Sequence, residues 1–377
     1  MIRVYKNNSS IKFIIENIYE DFAIRKQKNI FIKPNLGGRY PIIEGENTAS
    51  DIVGALCEIC IEGGCEEIVL GHGALLNFGN NRYDFKTLLK HSQMIKLEKY
   101  KKVKFLDLDN SNRVKINIKG FEMSLPEILT SHAYVNLCCL KTHMETTVSL
   151  AIKNQMGLLL AKDRMLMHRT DLSRYLAYLG MAAKPFVNII DGRIGMEGNG
   201  PHHGKPKRAD IVMAGNNMVE IDSLACLLIG IDYNSATHIK NAIEEKVGSP
   251  VKNEDFDNIF KKFSTKFEQP SVAFEKYRFL TVWPNSACSG CIFSLSDSHK
   301  KIKRNPIKLL KFIKKLIKAN RIDIVLGKDA ERYASKYSDE AIFIGNCTKD
   351  FAGAKKGSVF VPGCPPEIEN IMRALLE

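Results

Sequence analysis

No stretch of the 377 residues comes near the ~18 consecutive apolar residues that a membrane-spanning helix needs. The opening MIRVYKNNSS has neither an apolar core segment nor a small-residue cleavage site, so no secretory signal is expected. Internal repeats and low-complexity tracts are absent as well. With 45% hydrophobic and 26% charged residues, the composition excludes disordered, collagen-like and coiled-coil chains. The expectation is a cytoplasmic protein whose ten cysteines stay reduced, as core residues or metal ligands. At roughly 150 residues per domain, the length suits two or three domains.

Familiar phosphate-binding patterns are also missing. The segment Gly195-Met196-Glu197-Gly198-Asn199-Gly200-Pro201-His202-His203-Gly204 holds four glycines. It has no following Gly-Lys-Ser or Gly-Lys-Thr and no G-x-G-x-x-G spacing after a first strand. Acidic residues are absent from Lys300 to Arg321, where ten Lys or Arg occur. Without that stretch the net charge of +13 falls to about +3, so the basic character is local and nucleic-acid binding by overall charge is disfavoured.

What remains is a rhythm of short apolar runs and helical patterns, the alternation of βαβ units. Strands are expected at 29–35, 66–74, 103–109, 133–143, 185–192 and 209–215, with helices at 48–64 and 148–160. The Gly/Pro-rich 193–207 reads as a surface loop. A domain boundary is expected within 250–276. After it come strands at 277–284, 321–327, 340–346 and 358–363 and a last helix at 366–376.

Polar residues end several of these strands: Lys33 and Asn35, then Lys141 and His143, then Asp191, with Lys153 and Asn154 on the following helix. Ligand sites of α/β sheets open at that edge, so the set suggests an anion site. Lys141 would orient the ligand and His143 would move protons. Glu197, Gly198 and Gly200 of the glycine-rich segment would approach it through the backbone. The lysines should lie near an acidic partner such as Asp191 or Asp222, or near bound solvent anions, since gathering three cations is costly. Adjacent His202 and His203 point apart and carry little weight as joint metal ligands.

The cysteines divide into two kinds. Cys57, Cys60, Cys65, Cys138, Cys139 and Cys226 lie in or beside apolar runs and read as core. Cys288, Cys291, Cys347 and Cys364 each follow a predicted strand, and four converging thiolates suit a 4Fe–4S cluster or a structural zinc.

Cys288-Ser289-Gly290-Cys291, Gly345-Asn346-Cys347-Thr348 and Val361-Pro362-Gly363-Cys364-Pro365-Pro366-Glu367 resemble the cluster domain of the nickel–iron hydrogenase small subunit. The complex I small subunit shares its flavodoxin-like fold and the terminal Pro-Gly-Cys-Pro-Pro. This resemblance implies one 4Fe–4S cluster on the four cysteines, although the domain is short and lacks the extra cysteines of a cluster relay. A second resemblance covers about residues 28–232. Lys33-Pro34-Asn35, Leu140-Lys141-Thr142-His143, Ile152-Lys153-Asn154-Gln155-Met156-Gly157, His168, Asp191-Gly192, Met196-Glu197-Gly198-Asn199-Gly200-Pro201 and Asp222 look like the domain-of-unknown-function family 362. That family often carries a twin C-x-x-C-x-x-C ferredoxin insert, which this sequence lacks. Its distant similarity to the lactate racemase superfamily biases the ligand towards small hydroxy acids.

The resemblances imply an α/β protein. Residues 1–265 would form a substrate-binding α/β domain with a mixed or parallel sheet, followed by a smaller flavodoxin-like cluster domain at 276–377. The leading function is an iron–sulfur oxidoreductase acting on a small anion. Alternatives are a cluster-carrying electron-transfer or assembly partner without chemistry of its own, or a non-redox isomerase or hydratase. From Asn305 to Arg321 apolar residues recur at helical spacing among lysines. The expectation is a helix with its apolar face on the sheet. In a functional version, Lys300–Arg321 docks an acidic carrier such as ferredoxin or flavodoxin. A membrane-surface role is a further option.

Overall fold

In the computed structural model the described residues are 1–37, 44–73, 84–201, 203–252, 259–270, 275–277, 279–285, 287–352 and 357–377. They divide into two units, one built from residues up to Pro270 and one from those after it.

The first unit is organised by one large sheet. Its strands are β1 (Ile2–Lys6), β2 (Asn29–Pro34), β3 (Glu67–His72), β4 (Val103–Asp107), β7 (Ala133–His143), β8 (Thr147–Ser149), β9 (Val187–Asn199) and β10 (His203–Gly215). A separate hairpin pairs β5 (Arg113–Ile118) with β6 (Phe121–Pro126). The order is β1-β10-β9-β7-β2-β3-β4, with β8 paired to β7. From β9 to β4 every pairing is parallel; β10 and β1 add antiparallel. The sheet is therefore mixed, with a parallel centre.

Both faces of that centre are covered, which is why its strands read as continuous apolar runs. Ile30 and Ile32 point into one core with helices Ile11–Asp21 and Ser50–Glu62. Phe31 joins Tyr134, Cys138 and Leu140 in the opposite core, against helices Leu172–Ala182 and Met218–Leu228. The six cysteines read as core are all buried, and burial pushes the Cys57 thiol up to about 12.

Two expectations are corrected. Residues 148–160 are not one helix: β8 is followed by the short helix Ala151–Asn154 and a tight turn at Gln155–Leu158. Tertiary contact decides this, since a Cβ at Gly157 would fall 2.7 Å from the Lys33 Cε. Residues 193–199 and 203–207 are not loop but belong to the antiparallel pair β9–β10, with Gly204 opposite Gly198. Their glycines permit close approach: a Cβ at Gly195 would meet the Leu140 carbonyl oxygen at 2.5 Å, and one at Gly204 the Glu197 oxygen at 2.6 Å.

The second unit is a smaller α/β layer. Its strands are β11 (Glu275–Tyr277), β12 (Leu280–Trp283), β13 (Ile322–Leu326), β14 (Ile342–Ile344) and β15 (Val359–Val361), lying side by side in chain order. Only β11 is antiparallel. A flavodoxin-type sheet places its second strand outside the first; here β11, which precedes β12, holds that position. Helices Ser289–Arg304 and Pro306–Ala319 connect β12 to β13, and Ile368–Leu376 closes the unit. Among the described residues no helix is long and apolar enough to cross a membrane.

Candidate functional site

Two parallel strands of the large sheet end side by side, β3 at His72 and β2 at Pro34, and β7, paired to β2 as far as Leu137, runs on to His143. Lys33 near the end of β2 is fully buried. Its Nζ donates to the Pro34 carbonyl at 2.9 Å and to Asn154 Oδ1 at 3.1 Å. Burial drives its pKa down to about 7; the cations of Arg164 and Lys141 add to this, against an opposing pull from Cys138. This lysine changes charge near neutral pH.

Lys141 is also buried, and its Nζ donates to Asn35 Oδ1 at 2.6 Å and to the Glu46 carbonyl at 2.9 Å. Asn35 Nδ2 in turn donates to Asn154 Oδ1 at 3.2 Å, so two amides join the two lysines. Behind them, Asn154 Nδ2 donates to Asn136 Oδ1 at 2.8 Å, and Asn136 Nδ2 to Asn188 Oδ1 at 2.8 Å. Each amide has one oxygen and one nitrogen to place, and this chain of donors fixes which way all four face.

Lys153 on the short helix stays partly exposed. Burial lowers its pKa to about 8, opposed by Glu145 and assisted by Lys141. His143 is buried and its Nδ1 accepts from the main-chain N–H groups of Glu145 (3.1 Å) and Thr146 (3.4 Å). That leaves the ring proton on Nε2. Lys33, Asn35, Lys141, Asn154 and, through its electrostatic neighbours, Lys153 thus come together.

The anticipated acidic partners are engaged elsewhere. Asp191 is bridged by Arg193, with Nε at 2.9 Å and Nη2 at 2.8 Å, and Arg193 also holds Asp51. Asp222 is fully buried and accepts from the Ala151 and Ile152 N–H groups at 2.8 and 2.9 Å, capping the short helix. Oxygens of carbonyls and amides meet Lys33 and Lys141 instead.

Glu197, Gly198 and Gly200 sit at the tip of the β9–β10 pair. Glu197 Oε2 accepts from the Glu268 N–H at 2.9 Å, the Gly198 N–H donates to the Glu268 carbonyl at 2.8 Å, and the Gly200 N–H to that of Gly198 at 2.9 Å. Those N–H groups are committed within the protein. The tip grips the chain on either side of His143: Thr142 Oγ1 donates to the Gly198 carbonyl at 2.7 Å and the Met144 N–H to that of Gly200 at 3.0 Å. His202 and the His203 side chain lie outside the described residues.

Four groups escaped the sequence reading. His72 is buried, with Nδ1 2.6 Å from the Gly73 carbonyl, and burial followed by the Lys33 charge keeps it neutral. It ends an apolar strand as Lys33 does, so the same signal was available. Arg164 is buried beside Asp109, at 4.0 Å. Glu145 Oε1 lies 3.0 Å from His168 Nδ1, while its Oε2 is buried with no hydrogen-bond partner among the described residues. His238 is fully buried with neither ring nitrogen bonded among the described residues, and burial together with Lys153 depresses its pKa to about 3. Arg164 and His238 lie on helices and Glu145 in the turn between β7 and β8, none of them with a local mark.

The second unit gathers the remaining cysteines. Cys288 precedes helix Ser289–Arg304, on which Cys291 lies, and Cys347 and Cys364 follow β14 and β15. The last two loops are pinned together: the Asn346 N–H donates to the Gly363 carbonyl at 2.9 Å, and the Gly363 N–H to Asn346 Oδ1 at 2.8 Å. The Cys291 thiol is held protonated by its hydrogen bond with Cys288, then by burial and by the sulfurs of Cys288, Cys347 and Cys364. Burial, then Cys364 and Cys288, raise the Cys347 thiol.

A cationic group would relieve this crowding, because it takes the thiols as thiolates. Space is kept for it: at Gly345, whose φ is +96°, a Cβ would fall 3.0 Å from the Cys291 Sγ. Unlike the core cysteines, Cys288, Cys347 and Cys364 keep solvent access. Among the described residues no three His, Cys, Asp or Glu side chains form a ready cage for one ion. A tetrahedral zinc would need sulfurs about 3.8 Å apart, given Zn–S bonds of about 2.3 Å. Cys288, Cys291, Cys347 and Cys364 are the residues that would hold such a group.

A family model described as "Domain of unknown function (DUF362)" matches residues 30–227. A thylakoid-associated protein of Synechocystis sp. is 29% identical over 128 residues, 32% of this chain and 39% of that protein. The chain thus spans well under half the length of this curated relative. No solved structure matches. The family match runs from β2 into helix Met218–Leu228 and takes in Lys33, Asn35, Lys141, His143, Lys153, Asn154 and Asp222. With more than half of its length inside that match, the chain belongs to the DUF362 family.

Proposed function

We propose that this chain is an iron–sulfur oxidoreductase in which residues 276–377 carry one 4Fe–4S cluster on Cys288, Cys291, Cys347 and Cys364. Residues 1–265 would bind a small anionic substrate around Lys33, Asn35, Lys141, Lys153 and Asn154. The observation that carries the reading is the crowding of four thiols at strand ends beside a glycine that leaves them room. A cluster of this kind, when bound, exchanges single electrons. The chain's own residues would do the rest. Lys141 and Lys153 hold the anion, His143 gives or takes a proton at Nε2, and Lys33 adjusts the charge of the site through the Asn154–Asn35 link. Anaerobic purification should yield a brown protein with about four irons per chain. One equivalent of zinc, with no iron taken up on reconstitution, would overturn the cluster assignment.

The anion site makes a separate prediction. Lys33 and Lys153, with pKa values of about 7 and about 8, are both charged at pH 6 and largely neutral at pH 9. A bound anion favours the charged lysines, so binding near pH 8 must draw protons from solution and weaken as pH rises further. Lactate titrated calorimetrically into the protein at pH 8, in two buffers of different ionisation enthalpy, should show proton uptake that disappears at pH 6. Lys141→Ala should abolish the binding. Identical heats in both buffers at pH 8 would remove the lysines from the site.

A further inference from the structure

The helix Pro306–Ala319 does not bury its apolar residues as its periodicity suggests. Phe312 is 5% exposed and packs inward, with Leu309 and Leu316 half-buried. Four aliphatic side chains face out: Ile307 is 70% exposed, Leu310 54%, Ile313 42% and Ile317 63%. At about 100° per residue these four cover an arc of about 120° on one side of the helix. Exposed Lys314 falls within that arc beside Ile307, Lys311 and Lys318 lie just beyond its edge, and Lys303 and Arg304 end the preceding helix. The helix is firmly started, with Asn305 Oδ1 accepting from the Ile307 and Lys308 N–H groups at 3.1 Å each and Pro306 in the first turn.

Single exposed aliphatics need no explanation, but a continuous row on one helix does. An acidic carrier protein would use the lysines and leave the row unexplained. Protein interfaces are also poor in Lys and anchored by Tyr, Trp and Arg. Outward-facing residues here are aliphatic and Lys, the composition of a helix lying in the boundary of a lipid bilayer. Ten basic residues and no acidic one between Lys300 and Arg321 match a negatively charged surface.

We propose that this helix docks on an anionic lipid bilayer. Ile307, Leu310, Ile313 and Ile317 enter the acyl boundary while Lys311, Lys314 and Lys318 meet the lipid phosphates. The inference stands apart from the cluster and the anion site.

The test is co-sedimentation of the full-length protein with vesicles of phosphatidylcholine, with and without phosphatidylglycerol. The protein should sediment with the anionic vesicles and stay in solution with the neutral ones. Combined Leu310→Ser, Ile313→Ser and Ile317→Ser, which leaves every charge in place, should weaken binding at least about tenfold. Lys311→Gln, Lys314→Gln and Lys318→Gln together should weaken it as well, with the unfolding midpoint of both variants close to that of the parent. No binding to anionic vesicles overturns the proposal. So does binding that ignores the serine variant, because the aliphatic row then inserts nowhere. Serine-sensitive retention on immobilised acidic ferredoxin, without vesicle binding, would reassign the face to a protein partner.

Discussion

Cys364→Ala should lower the iron of the anaerobically purified protein from the expected value of about four per chain to near zero and remove the expected brown colour. The expectation follows from how the second unit is tied together. Cys364 lies in the loop pinned to that of Cys347, and both sulfurs act on Cys291. Loss of one ligand leaves three thiols and no fourth beside them, since every other cysteine is buried in the first unit. Cys57→Ala is the control. That residue belongs to a helix packed in the core, its thiol is pushed up to about 12 by burial, and its loss costs about 1 kcal/mol of packing with no change in iron. Iron retained in Cys364→Ala, or lost in Cys57→Ala, would remove the assignment of these four cysteines.

The second large effect belongs to Asp222. Its two carboxylate oxygens take the first two N–H groups of helix Ala151–Asn154, and no water replaces them at a fully buried position. Asp222→Ala strands two donors at roughly 1–3 kcal/mol each, so a loss of about 2–6 kcal/mol is expected in chemical denaturation. It also frees the helix that carries Lys153 and Asn154, so lactate binding should vanish even where the variant is folded. Asp222→Asn keeps one acceptor and should fall between. Burial holds the Asp222 carboxyl up at about 7, against the pull of the two amides. Between the ordinary carboxylate range and that value the folded state binds more protons than the unfolded one. The contribution of Asp222 to stability therefore falls as pH rises through the window, and the Asn variant should lose that slope. Unchanged stability in Asp222→Ala would mean that the cap carries no weight.

Much of this architecture was legible before the structure. β7 runs over the very residues, 133–143, that its apolar pattern marks, because a strand buried on both faces leaves no other reading. The polar residues that close β2 and β7 were legible for the converse reason: charge at the end of an apolar run has to meet something. Segments fixed by contacts from afar were not. The 148–160 stretch looks helical by period, yet Asp222, 71 residues from Ala151, and the packing of Gly157 on Lys33 break it. Glycines at 195 and 204 look like slack but are places where backbone meets backbone. His238 left no trace, since a lone polar residue in a helical pattern reads as solvated until its neighbours are known, and Glu145 left none because charge in a turn between strands is ordinary. The outward row on Pro306–Ala319 was hidden by its own regularity, because periodicity marks an apolar face without saying what it faces.

Lys33 donates two hydrogen bonds, to the Pro34 carbonyl and to Asn154 Oδ1. An ammonium has three N–H bonds to give and a neutral amine still has two. The network joining Lys33 to Lys141 can therefore be drawn atom for atom in either charge state. Losing the proton breaks no contact and moves no side chain. Diffraction patterns collected on either side of neutrality should superpose, although the field inside the site differs by a full unit charge. A ligand would feel that difference and a coordinate comparison would miss it. Nitrogen chemical shifts at Lys33, followed through the titration, are where the two otherwise identical forms part company.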